Sequence, residues 1–289
     1  MGLRGKFNLA IVVAFAIGFV IAAFVLDRVF VSQAREEVLQ NARLMMSAAN
    51  AIRNYTAKDL GPLLPLERDG KFVPETVPAY AAQKNFHELQ SSFEGFSYRE
   101  AALNPTNLAN RAQDWESDII NNLRNEPAKA EMVIERETPL GRTLNLARPI
   151  AVRTEACLTC HSVAASAPIS LLRSYGAYNG FGWKLNETIG AQILSVPMAV
   201  ALTQARKSLV TFLGIMVAIF AVIFVILNVL LHYLVIRPVR RVSAMADAVS
   251  LGEGEVETYI KPGKDEISSL SKSFDRMRQS LDQAMQMLK

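Results

Sequence analysis

The chemistry of this chain is concentrated in five consecutive residues, Cys157-Leu158-Thr159-Cys160-His161. They form the pattern C-x-x-C-H, which is the attachment sequence of a c-type haem. Each thiol can add to one vinyl group of the porphyrin, and the histidine that follows is then placed to ligate the iron. These two cysteines are the only ones among 289 residues, and only three histidines are present. The motif therefore predicts one covalent haem c on Cys157 and Cys160, with His161 as the proximal iron ligand.

A C-x-x-C pair also has two other interpretations. A redox dithiol or disulfide uses the same spacing, and two cysteines can supply half of a zinc site. A zinc site would need two further ligands at short spacing, whereas the remaining histidines, His87 and His232, are distant in sequence. A thioredoxin-type pair needs no trailing histidine. We favour covalent haem and keep the dithiol and zinc interpretations as alternatives.

Two apolar stretches predict membrane-spanning helices. Residues 7–26 and residues 209–236 contain no charged side chain, and about 20 apolar residues suffice for a helix to cross a bilayer. The alternative for the first stretch is a cleaved signal peptide, but its apolar region is long and no small-x-small cleavage site follows it. We therefore expect an uncleaved anchor and a two-pass membrane protein.

Positive charge flanks the outer end of each predicted span, with Arg4 and Lys6 before the first and Arg237 and Arg240 after the second. This pattern places both chain termini in the cytoplasm. The predicted segments are a cytoplasmic N-terminus (1–6), a first span (7–26), an extracytoplasmic domain (27–208), a second span (209–236) and a cytoplasmic tail (237–289). In a bacterial inner membrane the C-x-x-C-H motif would then lie in the periplasm, where c-type haem is attached.

The composition excludes some function classes. The net charge is only +4, and no Lys/Arg tract clusters with aromatic residues, so a nucleic-acid partner is not expected. A hydrophobic fraction of 51% and a mean hydropathy of +0.17 fit membrane segments around a soluble domain. The sequence shows no Ser/His/Asp cluster and no P-loop, so we do not expect an enzyme.

The extracytoplasmic segment is patterned as helices followed by antiparallel strands, which predicts an α+β fold. We expect helices over 31–52, 81–93 and 115–123, a hairpin over 132–152, an aromatic-rich and glycine-rich loop over 167–183, and a strand over 189–197.

Several runs carry a resemblance to a known family: YAAQKNF (80–86), AALNPTN (101–107), DWESDII (114–120), LARPI (146–150) and NGFGWK (179–184). Together with the C-x-x-C-H motif, they resemble the extracytoplasmic haem-binding domains with a PAS-like fold, which often precede a HAMP linker. The resemblance covers most of residues 35–200. It implies a five-stranded antiparallel sheet flanked by helices, with one c-type haem.

The distal side of the haem is where this chain departs from some relatives. Soluble members carry a cysteine, thought to ligate the iron opposite the histidine, in the helix that aligns with residues 51–55, whereas this chain has Tyr55 and no third cysteine. His87 and Tyr55 are the distal candidates, because imidazole and phenolate can both bind iron. Met132 and Met198 are weaker ones. The candidates for contacts with the haem propionates are Arg148, Arg173, Tyr175 and Lys184.

The tail resembles a HAMP domain. Apolar residues recur every three or four positions up to Val249, a polar connector covers residues 252–264, and a second stripe has heptad spacing: Ile267, Leu270, Phe274, Met277 and Leu281. Pro238 and the start at 265–267 stand where HAMP domains have their hallmark residues. HAMP units are parallel four-helix bundles made by a dimer, so we expect a homodimer; a generic coiled coil is the alternative.

These expectations lead to a membrane-bound haem-based sensor. Oxidation of the iron, or binding of a diatomic gas such as nitric oxide or carbon monoxide, would be relayed through the second span and HAMP to a separate cytoplasmic signalling protein. One alternative is a membrane-tethered c-type cytochrome that transfers electrons to a redox partner. Another is a binder of a small organic ligand in which the haem is structural.

Overall fold

The computed structural model describes residues 2–93, 95–139, 141–251 and 258–287. The chain divides into two compact units, which we call the sheet unit (residues 28–208) and the helical unit (residues 1–27 and 209–289). The α-helices are α1 Leu3–Tyr55, α2 Pro78–Gln90, α3 Asp114–Asn125, α4 Glu155–His161, α5 Ile169–Tyr175, α6 Ala199–Leu230, α7 Arg237–Ser250 and α8 Glu266–Met287. The strands are β1 Glu67–Arg68, β2 Lys71–Phe72, β3 Ser97–Ala102, β4 Met132–Thr138, β5 Gly141–Ala151 and β6 Thr188–Pro197.

The main sheet of the sheet unit has the strand order β3-β6-β5-β4, and every neighbouring pair is antiparallel. The central strand β6 is buried at six consecutive positions rather than at alternate ones. Such a continuous run arises when both faces of a sheet are covered, because alternate side chains then enter different cores.

One face of the sheet is covered by α1 and α2, and the other by α3. The first core contains an apolar stripe of α1 at helical spacing: Val38, Leu39, Ala42, Met46 and Ala49. The second core contains Ile119, Ile120 and Leu123 of α3 against β5 and β6. The predicted amphipathic helix that continues from the first apolar stretch is confirmed by α1.

Polar contacts show the direction in which α1 crosses the sheet. Arg35 pairs with Glu135, which lies opposite the fourth residue of β5. Asn50 accepts a hydrogen bond from Gln192, which lies opposite the eighth residue of β5. Helix α1 therefore runs in the same direction as β5, and its last residue, Tyr55, lies toward the end of the sheet where β5 ends.

Three local expectations for the sheet unit need correction. Among the described residues the main sheet has four strands rather than five, and β1 and β2 form a separate hairpin. Asp69 and Gly70 both have positive φ, as in a two-residue hairpin turn, and β1 pairs with β2 across this turn. The segment 167–183, predicted to be a loop, contains helix α5, and β3 was not predicted. Leu140, within the predicted hairpin turn, lies outside the described residues.

The helical unit contains the two apolar stretches. Both lie in helices long and apolar enough to cross a membrane, with mean hydropathies of 3.0 and 3.1 in their most apolar windows. The rings of Phe15 and Phe220 stack with centroids 3.6 Å apart, so the two helices contact each other. This arrangement fits the two-pass membrane protein expected from the sequence.

Helices α7 and α8 follow the second apolar helix and contact each other. Helix α7 buries Pro238, Val242 and Met245, whereas the buried residues of α8 are Ser268, Ser271 and Asp275. Three residues of the predicted heptad stripe of α8, Leu270, Met277 and Leu281, are about half exposed (48%, 49% and 48%), whereas Ile267 and Phe274 are partly buried. Residues 252–257 of the predicted connector lie outside the described residues.

Candidate functional site

The C-x-x-C-H motif lies at one end of the main sheet. There Gly190 of β6 is opposite both Ala102, the last residue of β3, and Ile150, next to the end of β5. The motif follows β5 directly as helix α4. Strands β3 and β5 end at the same end of the sheet at which β6 begins. The segments that leave these strands therefore meet around the motif.

Helix α4 brings the two thiols together. Cys157 and Cys160 are three residues apart and therefore lie on the same side of this short helix. Both are free thiols of intermediate exposure, and the Cys157 Sγ lies 3.4 Å from the Thr154 hydroxyl. Burial, with a smaller effect of Cys157, raises the pKa of the Cys160 thiol above its usual value. Both sulfur atoms are therefore partly accessible at the surface of α4.

His161 is held by one strong hydrogen bond. Its Nδ1 lies 2.7 Å from the carbonyl oxygen of Gly180. A carbonyl can only accept, so Nδ1 carries the proton and Nε2 carries the lone pair of the neutral ring. Burial lowers the pKa of His161, and the hydrogen bond to Gly180 only partly opposes this effect. Neutral imidazole with Nδ1–H bound to a carbonyl is the form in which histidine ligates metals.

The segment 180–183, which we call the clamp loop, lies along the motif. The Trp183 ring stacks on the His161 ring with centroids 3.9 Å apart and an interplanar angle of 15°. The Trp183 N–H donates to the His161 carbonyl at 3.2 Å, and the Gly182 N–H donates to the Ser162 carbonyl at 2.8 Å. These contacts fix the orientation of the imidazole plane.

A turn after β3 supports the clamp loop. Asn104 Oδ1 accepts from the Gly180 N–H at 3.2 Å, and Asn104 Nδ2 lies 3.4 Å from the Phe181 carbonyl. The Thr106 hydroxyl lies 3.4 Å from His161 Nδ1. The sequence placed Asn104 and Thr106 in the run AALNPTN, but it assigned them no part in the site.

The structure separates the two main distal candidates. Tyr55 is the last residue of α1, lies toward the motif end of the sheet and is 56% exposed. His87 is exposed on α2, with Nδ1 3.3 Å from Gln90 Oε1. Its neighbour Phe86 packs on Phe96 just before β3, and β3 runs from there toward the motif. Six residues of strand cover about 20 Å, so His87 lies toward the other end of the sheet.

Of the two methionine candidates, Met198 lies at the end of the sheet opposite the motif, whereas Met132 begins β4 in the half of the sheet nearer the motif. The Met198 N–H donates to the Arg142 carbonyl, at the beginning of β5, and its side chain is buried in the core. Nine residues of strand, about 30 Å, separate Arg142 from Ala151 at the motif end. Met132 pairs with Ala147 in the sheet and packs against the second core.

The candidates for propionate contacts have diverse surroundings. Arg148 forms an ion pair with Glu131 at 3.1 Å within the sheet unit. Tyr175 packs edge-on against Phe72 at 6.1 Å, and burial raises its pKa. Arg173 and Lys184 are exposed. Arg148 already has a carboxylate partner in Glu131, and all four residues stay predictions for propionate contacts.

Other metal chemistry gains no support from the described part of the chain. Within it, no group of three or more His, Cys, Asp or Glu side chains is placed to hold a metal ion. Among the described residues, Cys157, Cys160 and His161 therefore have no fourth ligand of these types beside them, as a structural zinc site would need.

The chain thus combines an α+β domain, with a C-x-x-C-H helix at one end of its sheet, with two helices long and apolar enough to cross a membrane and two amphipathic helices after the second of them. A family model described as Tll0287-like matches residues 31–197, and a HAMP domain model matches residues 230–283. The first match covers more than half of the chain. The chain therefore belongs to the Tll0287-like family and carries a HAMP domain after that domain.

Among solved structures, the chain is similar to the crystal structure of the cyanobacterial heme-protein Tll0287. The two are 16% identical, with a TM-score of 0.44, and the similarity covers 56% of this chain and 95% of that chain. No curated protein matches the chain significantly.

Proposed function

We propose that this protein is a membrane-bound haem-based sensor that relays the state of one covalent haem c through its HAMP domain. The observation that carries the proposal is the occurrence in one chain of a C-x-x-C-H site in a Tll0287-like domain and of a HAMP match. HAMP segments relay conformational change, and an electron carrier gains nothing from such a relay.

The residues at the motif fit a c-type haem. Cys157 and Cys160 present two thiols on one side of α4, as two thioether bonds would require. His161 is neutral, with the lone pair on Nε2, so this nitrogen can ligate the iron as the proximal ligand. When bound, the haem supplies an iron whose oxidation state and sixth ligand can change. Tyr55 is the distal candidate that lies toward the same end of the sheet.

The relay begins at the clamp loop. Its backbone contacts the motif, and strand β6 starts five residues after Trp183. A single residue, Met198, separates the end of β6 from α6, which contains the second apolar stretch. A change in the bond between iron and His161 would therefore reach the second span through the clamp loop and strand β6. To move a two-state bundle from about 1:99 to 99:1, the haem states must differ by roughly 5.5 kcal/mol in their preference.

The proposed assembly is a homodimer in a bacterial inner membrane. The heptad stripe of α8, with Leu270, Met277 and Leu281 half exposed, supports pairing with a second copy. The proposed topology keeps the sheet unit in the periplasm and the HAMP domain in the cytoplasm, in agreement with the charge pattern around the spans. A separate cytoplasmic protein would receive the signal, and the stimulus would be redox change or a diatomic gas.

Spectroscopy of the purified full-length protein tests the haem. Protein produced with a haem-maturation pathway should give the pyridine haemochrome spectrum of a haem with two thioether bonds, and Cys157→Ser combined with Cys160→Ser should abolish it. Tyr55→Phe should change the EPR signal of the ferric protein if Tyr55 is the distal ligand, and His87→Ala serves as the matched control. A colourless wild-type protein would contradict the proposal, as would an iron spectrum that ignores redox state, nitric oxide and carbon monoxide alike.

Deletion of residues 238–289 separates the sensor from an electron carrier. A sensor should lose its cellular response, such as a transcriptional or motility output, while electron flux is unchanged. A carrier should keep its flux without these residues and lose it when the C-x-x-C-H motif is mutated.

A further inference from the structure

We propose that Asn104 and Thr106 are positioning residues for His161, which hold the Gly180 carbonyl against Nδ1 and so set how strongly His161 binds the haem iron. The inference rests on the proposed function, because it concerns the haem that this function requires. It adds two residues, in a turn more than 50 positions before the motif, that no part of the C-x-x-C-H pattern identifies.

The first step is the position of Gly180. Its carbonyl receives the Nδ1 proton at 2.7 Å, and its N–H donates to Asn104 Oδ1 at 3.2 Å. The same asparagine lies within hydrogen-bond distance of the next carbonyl, that of Phe181, at 3.4 Å. One side chain thus bridges the backbone on both sides of the carbonyl that holds the histidine.

The second step is the close packing between Gly180 and Thr106. Gly180 has φ +82°, and a Cβ at this position would overlap the Thr106 side chain and its Cα. The backbone of the clamp loop therefore lies directly on Thr106, and only glycine allows this approach. The Thr106 hydroxyl is 3.4 Å from His161 Nδ1, so it borders the same hydrogen bond.

The third step is chemical. A hydrogen bond from Nδ1–H to a carbonyl makes the imidazole a stronger electron donor at Nε2, and such outer partners tune the metal that the ring binds. A stronger donor stabilises ferric iron more than ferrous iron, and the reduction potential falls. Loosening the Gly180 carbonyl should therefore raise the reduction potential of the haem.

The experiment measures the midpoint potential of the full-length protein in detergent, with haem content from the pyridine haemochrome as a parallel readout. We expect Asn104→Ala and Thr106→Val to keep covalent haem and to shift the ferric-to-ferrous ratio at a fixed ambient potential about tenfold toward ferrous, which is 59 mV for one electron. Thr106→Ser, which retains the hydroxyl, should restore most of the wild-type value. Gly180→Ala should give the largest shift.

Asn107→Ala is the matched control. Asn107 belongs to the same turn, but its side chain accepts a hydrogen bond from the Ala109 N–H rather than from the clamp loop. The midpoint potential of the Asn107→Ala variant should therefore equal that of the wild type. Unchanged potentials in Asn104→Ala and Thr106→Val, with haem retained, would overturn the inference and leave the proposed function intact. An equal shift in Asn107→Ala would also overturn it, because the effect would then belong to the turn as a whole.

If Gly180→Ala fails to fold, Asn104→Ala and Thr106→Val decide the inference. Wild-type protein without covalent haem would refute the proposed function itself.

Discussion

Helix α1 in the sheet unit and helix α8 in the helical unit both carry apolar stripes, but only one of them buries its stripe within the chain. In α1, Met46 and its neighbours are fully covered by the sheet. In α8, the residues buried against the rest of the chain are small or polar, such as Ser268 and Ser271, and Leu270 is half exposed. The sheet unit thus buries the stripe of α1 in its own core, whereas part of the stripe of α8 stays exposed, as the proposed homodimer would require.

The largest expected effect comes from a cavity in the complete unit. Met46→Ala removes a fully buried side chain from the first core, and such substitutions cost about 2–5 kcal/mol of stability. We expect a lower midpoint of thermal unfolding by near-UV circular dichroism, independent of protein concentration. Leu44→Ala, two positions away and 70% exposed, is the control and should change stability by less than about 0.5 kcal/mol. Equal effects of the two variants would contradict the assignment of the core.

A charge on the exposed stripe should act on assembly instead. Leu270→Glu places a carboxylate where a second copy would pack, and losing the burial of part of a leucine weakens association about tenfold. The measurement is sedimentation of the full chain in detergent at several concentrations. The unfolding midpoint of the sheet unit should not move. Ser269→Glu adds the same charge at an exposed neighbour, and a similar loss of dimer in this control would argue against the stripe as the interface.

A smaller effect on stability, which depends on pH, is expected at Glu131, which pairs with Arg43 of α1 and Arg148 of β5. Burial would raise the pKa of Glu131, but hydrogen bonds from Arg43 and Arg148 outweigh it, so this pKa lies below the usual value of about 4.3. A carboxyl with a lowered folded-state pKa stabilises the fold above the unfolded-state pKa, and this stability is lost as the pH falls through the folded-state pKa. At neutral pH the free energy of unfolding of the wild type should exceed that of Glu131→Gln by about 1 kcal/mol. This difference in stability should disappear below about pH 4. A difference that is constant with pH would exclude the ion pairs as its cause.

The smallest effect is expected at an exposed pair on α2. Lys84 and Glu88 are four residues apart at 3.6 Å, and both side chains are more than half exposed. Exposed pairs of this kind contribute about 0.3–0.5 kcal/mol. Lys84→Ala should therefore leave the thermal midpoint within measurement error at 0.15 M salt. A loss comparable to that of Met46→Ala would mean that α2 is held by its surface rather than by Phe86 in the core.

Local periodicity and spacing determined much of this protein from the sequence alone. The C-x-x-C-H motif, the two apolar helices, α3, the hairpin of β4 and β5, and the heptad helix α8 each follow from residues that are close together in the chain. The same local reasoning missed α5, because its seven residues are surrounded by glycines and aromatic residues that are typical of a loop. Local patterns predicted three strands of the main sheet and missed β3, whereas the family resemblance implied five strands where the described residues form four.

Only the tertiary structure decided which distant residues share the site. The contact between Asn104 and Gly180 joins positions 76 residues apart, and it exists because β3 ends where β6 begins. The same register places Tyr55 toward the motif, and His87 and Met198 toward the other end of the sheet. Residue types showed what chemistry each side chain can perform, but strand pairing and helix direction fixed the distances between side chains, and these depend on contacts that no local pattern encodes.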